Sequence, residues 1–88
     1  MKTEIKNDKF LCPLPIAALL LANNYDNELM GIEEYQEGRL FAFKADSCTA
    51  KEMQFLTDNF VDNQGEVVGV RYWHAIKILM NILKDRGN

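Results

Sequence analysis

The 88-residue sequence is short of the residues that most often carry chemistry, with one histidine and two cysteines, and it has only two prolines. Two cysteines, Cys12 and Cys48, are too few and too far apart for a disulfide-rich scaffold or a four-ligand zinc site. No metal and no cofactor is therefore expected. No run of Lys and Arg is present, so the electrostatic footprint of a nucleic-acid binder is missing. Also absent are a Gly-rich phosphate loop, a His-Glu-x-x-His pair, a nucleophile elbow and a paired-carboxylate motif. The apolar stretch 13–22 falls well short of the roughly 20 residues of a membrane span. Glu4 and Asp8 interrupt the basic residues Lys2, Lys6 and Lys9, and no small-x-small cleavage site precedes "NNYDNE", which speaks against an export signal. The expectation is a cytoplasmic protein that binds neither membrane nor nucleic acid.

What is present describes a globular chain. Apolar residues make up 48% and charged residues 26%, with a formal net charge of -3, which places the sequence among folding rather than disordered chains. A domain this small buries only about two thirds of its unfolded-chain surface, so a dimer or a bound partner is a reasonable source of extra stability. Between Asp26 and Glu37 five acids occur without a base, a pattern of a solvated hairpin face or of a contact surface for a basic partner.

The periodicity predicts a single α+β domain over residues 1–88: a two-layer sandwich of three to four strands with two to three helices packed against the sheet. "MKTEIKNDKF" suggests a weak edge strand. Cys12 or Pro13 opens a short helix with Pro15 in its first turn, and Ile16 to Ala22 are apolar on every side, as in a helix covered on more than one face. "ELMGIEEY" and "GRLFAFKAD" read as a hairpin with Gly38 in the turn and with Phe41 and Phe43 on the buried face. Thr49 and Glu52 have the spacing of a capping box before a helix from about Ala50 to Val61. "EVVGVRY" reads as a strand through Val67, Val68 and Val70, followed by an amphipathic helix beginning at Tyr72.

Cys12 is the first candidate site. A thiol at a helix N-terminus meets free amides and the positive end of the helix dipole, which favour thiolate; Lys9 would add a positive charge, and Pro13 and Pro15 would hold the turn. The competing reading makes Cys12 a small buried hydrophobe between Leu11 and Leu14. The run Cys12-Pro13-Leu14-Pro15 resembles the Cys-Pro-x-Pro signature of the TusA-like (SirA-like) sulfur-carrier family, and "EGRLFAFKADSCTAKEMQFLTDNF" is similar in layout to that family's strand, turn and second helix. The resemblance implies a small two-layer sandwich in which Cys12 carries a persulfide sulfur from a cysteine desulfurase to an acceptor protein. The chain differs from the family in lacking a glycine shortly before the cysteine, in its longer interval to Gly38, and in ending on a helix.

The second candidate is a binding surface. Trp73, Ala75, Ile78 and Ile82 widen the apolar arc of the last helix beyond what a small sheet covers, while Tyr35, Glu33 and Glu34 on the acidic hairpin would orient a partner. Tyr72 and Phe55 read as core, Cys48 as a buried turn residue and His74 as a surface or half-buried residue. The resulting reading is a non-enzymatic protein-binding or regulatory protein, of a character seen in bacterial or phage-encoded regulators, acting on another protein or on itself as a homodimer. The sulfur carrier is the alternative.

Overall fold

The computed structural model describes residues 3–36, 38–62 and 69–86. Its elements are β1 (Glu4–Lys6), β2 (Lys9–Cys12), α1 (Leu14–Ala22), a 3-10 turn (Asp26–Glu28), β3 (Leu29–Tyr35), β4 (Gly38–Lys44), α2 (Ser47–Asp62) and α3 (Val70–Arg86). The four strands form one antiparallel sheet in the order β1-β2-β4-β3. This is the α+β fold that the periodicity predicts, with the sheet packed against three helices.

The N-terminal segment contributes two strands rather than one weak edge strand. Asn7 and Asp8, at φ 52° and 60°, make the tight turn between them, a left-handed pair that suits the right-handed twist of a hairpin and that Asn and Asp tolerate. In the second hairpin Tyr35 pairs with Gly38, whose φ of 138° is open to glycine and strained for other residues. Cross-strand pairing sets Phe10 opposite Phe43, Cys12 opposite Phe41 and Ile32 opposite Phe41. These side chains share one face of the sheet and are buried with α1, so Phe41 and Phe43 take the core side, as the bulk of their rings requires.

α1 lies at the centre. Pro13 caps it, its carbonyl accepting from the amides of Ile16 and Ala17 at 3.1 and 2.9 Å. Pro15 sits in the first turn, where its missing N–H leaves no intrahelical bond unmade. Ile16, Ala17, Ala18, Leu19 and Leu20 are all buried, because α1 has the sheet on one side, α2 beside it and α3 closed over it. The alanines let α3 approach closely. At its far end Asn23 donates its side-chain amide to the Leu19 carbonyl at 2.8 Å, ending the helix with its own cap.

α2 starts earlier than the capping-box spacing predicts. Asp46, not Thr49, is the cap: its carboxylate accepts from the Thr49 amide at 2.8 Å, which also holds its pKa below the usual carboxylate range. Glu52 is used elsewhere, accepting from the Tyr25 hydroxyl at 3.1 Å. The predicted strand "EVVGVRY" is corrected at Val70, which is already helical; Val67 and Val68 lie outside the described residues. α3 therefore begins at Val70 rather than Tyr72.

Candidate functional site

Cys12 is the last residue of β2 and not the first of a helix. Strand alternation turns its thiol to the core face with Phe10, while Lys9 and Leu11 point to the other face. Its relative exposure is 0%, and Sγ lies 3.9 Å from the Phe41 carbonyl oxygen. Burial pushes the thiol pKa well above its ordinary value, since desolvation disfavours the thiolate. Lys9 cannot offset this, because its ammonium is bound to Glu33 at 2.8 Å on the opposite side of the sheet. The small-hydrophobe reading describes the side chain as it stands. Pro13 and Pro15 do hold the turn, as the cap and first turn of α1.

Cys48, expected to be buried, is instead exposed in the first turn of α2. The helix begins at Ser47, so Cys48 falls on the solvent side of that turn while Ala50 and Met53 turn inward. Both cysteines are free. Among the described residues no cluster of His, Cys, Asp and Glu is placed to hold a metal ion, and no helix is long and apolar enough to cross a membrane. His74 is exposed on α3.

Two acids of the hairpin, Glu33 and Glu34, are paired with neighbouring cations. Glu33 accepts from Lys9 at 2.8 Å and from the Tyr35 hydroxyl at 2.8 Å. The Lys9 hydrogen bond first, then that of Tyr35, lowers the Glu33 pKa, and the same contact raises that of Tyr35. This row of polar side chains lies on the sheet face away from the helices, where Ala42 and Leu11 are 3% and 1% exposed. Glu34 alternates to the other face and pairs with Arg39 at 3.2 Å. An open groove of about 590 Å³ at this end of the sheet is lined by Glu4, Pro13, Tyr35, Arg39 and Leu40.

α3 exposes Val70, Trp73, Ile78 and Met80, but not as one broad face. Ala75 and Leu79 are buried on α1, with Tyr72, Ile76, Ile82 and Leu83 packed around them. Trp73 and Ile78 are five residues apart, which on a helix separates them by roughly 140°. Trp73, 61% exposed, stands on one flank with Met80, 56% exposed. Ile78 stands on the other, beside a groove of about 290 Å³ lined by Leu21, Asn24, Asp26, Arg71 and His74, where Arg71 hydrogen-bonds the Asn24 side chain. Ile82 is half-buried in the core. The structure thus separates Trp73 from Ile78 and Ile82, and both sets from Glu33 and Tyr35, which point from the far side of the sheet.

Trp73 rests against its neighbour Tyr72. Its ring meets Tyr72 edge-on, with centroids 5.8 Å apart and an interplanar angle of 84°. Tyr72 in turn stacks on Phe60 of α2 at 6.1 Å and 27°, and its hydroxyl donates to the Pro15 carbonyl at 3.4 Å. Partial burial raises the Tyr72 pKa, keeping the phenol protonated as a donor. Phe55, expected in the core, is 66% exposed on α2, because Met53, Thr57 and Phe60 occupy the inward positions of that helix.

No protein-family model, curated protein or solved structure matches this chain.

Proposed function

We propose that this chain is a small non-enzymatic binding domain that engages another protein through the outer flank of α3. The observation that carries this reading is Trp73: a large ring, 61% exposed, set edge-on to Tyr72, which itself stacks on Phe60. An aromatic side chain ordered before contact loses little conformational freedom on binding, and such residues dominate interface energetics when a partner closes over them. Met80, one heptad further on, extends the same flank. The sulfur-carrier alternative draws less support, because a persulfide acceptor must present a thiolate and Cys12 is sealed behind the sheet with its pKa raised.

The test is a photoreactive amino acid placed at position 73, with position 51 on α2 as control. In lysate from the source cells, position 73 should give a discrete covalent adduct with a second protein and position 51 should not. Light scattering on the purified chain separates a homodimer from a heteromeric complex. Adducts from neither position, together with a monomer in light scattering, would sink the proposal.

A further inference from the structure

Charge and exposed apolar surface coincide on one narrow stripe of α3. Trp73, Lys77, Met80 and Lys84 follow at intervals of four, three and four residues and are all exposed. At 3.6 residues per turn these four positions stay within a sector of roughly 60°. The one acid of the helix, Asp85, lies roughly 100° away from Lys84. α3 has four basic residues (Arg71, Lys77, Lys84, Arg86) against Asp85, a surplus of three positive charges in a chain of net charge -3, so the remaining residues carry -6. Positive charge is thus concentrated on the element that also offers Trp73.

The four-three spacing is that of a helix seam, in which side chains at these intervals meet a second helix. Here every second seam position is a lysine. Pairing the stripe with itself in parallel register would set lysine against lysine, while a helix with carboxylates in its seam would satisfy both charges. A lipid surface fits less well: the stripe is narrow, the wider apolar face of α3 is already packed on α1, and the whole chain is negative. We infer that the stripe docks an acidic amphipathic helix of another protein, apolar side chains packing on Trp73 and Met80 and Glu or Asp residues meeting Lys77 and Lys84. This rests on the binding function proposed above and specifies the chemistry of its partner.

The experiment selects a displayed library of helical peptides, randomised along one face, against the full chain, and reads binding of the winners from the fluorescence of Trp73, the single tryptophan. Enriched peptides should carry Glu or Asp at four-three spacing beside Leu, Ile or Met, and should shift Trp73 emission to the blue. Lys77→Glu combined with Lys84→Glu should weaken them at least about tenfold, because opposed pairs become like-charged, and should accept peptides with Lys in place of Glu. Both lysines are exposed, and circular dichroism verifies that the variant is folded. The inference is overturned by winners that are neutral or basic, by no enrichment, or by binding that survives the double substitution. An equal blue shift with phosphatidylserine vesicles, or self-association that the double substitution abolishes, also overturns it in favour of lipid or of a second copy. If position 73 cross-links a protein whose capture ignores the lysine substitutions, the binding function stands and the acidic partner does not.

Discussion

A thiol's reactivity follows its access to water, because the thiolate is the nucleophile and burial disfavours charge. Cys12 and Cys48 therefore diverge: under native conditions a thiol reagent should label Cys48 promptly and leave Cys12 protected, and both should react in denaturant, as peptide mass mapping would read. Prompt native labelling of Cys12 would reopen its candidacy as a sulfur carrier. Glu33 makes a second residue-scale prediction. Its folded pKa lies below its unfolded value of about 4.3, so its contribution to stability is complete above that value and is lost as pH falls through the folded pKa. Lys9→Met should raise the Glu33 midpoint in a carboxyl NMR titration and Tyr35→Phe should raise it less, following the order of the two hydrogen bonds. An unmoved midpoint in Lys9→Met would show that the pair does not hold in solution. Neither the exposure of Cys48 nor the Lys9–Glu33 pair was legible in the sequence, since each depends on where a helix starts or on which strands become neighbours.

At the scale of elements, α1 is the member on which the others lean. Its uninterrupted apolar sequence announced burial on several sides; the partners on those sides came from segments far along the chain. Leu20, 0% exposed, should lose about 2 to 5 kcal/mol on truncation to alanine, by lost transfer free energy and by the cavity left behind. Leu21→Ala, at a half-buried position of the same helix, should cost less. Urea unfolding of the two variants checks the order, and equal losses would contradict the central placement of α1. The N-terminal hairpin shows a different kind of legibility: Asn7–Asp8 was a turn signal in plain view, outweighed by the polarity around it. At the start of α2 the capping-box spacing pointed to Thr49, but Asp46 is the cap, because helical geometry beginning at Ser47 brings the Thr49 amide to its carboxylate.

At the scale of the whole molecule, the sheet has one face under the helices, and among the described residues exposed apolar side chains stand on several elements, Met30 on β3 and Phe55 on α2 among them, with Trp73 on α3 61% exposed. Trp73→Asp should accordingly leave the unfolding free energy within about 0.5 kcal/mol, as for a surface position without a structural role, while abolishing capture of the partner in a pull-down. A large loss of stability would instead make Trp73 part of the core. The sequence by itself determined the α+β class, the second hairpin with its inward phenylalanines, the prolines at the start of α1 and the amphipathic closing helix, because each is written in spacing a few residues long. Only the tertiary structure decided that Cys12 is sealed, that Cys48 and Phe55 face solvent, that Glu33 and Glu34 are paired on opposite faces, and that Trp73 and Ile78 stand on different flanks. Those outcomes depend on packing between elements distant in the chain, and local periodicity indicates how much surface a segment must bury without naming what will cover it.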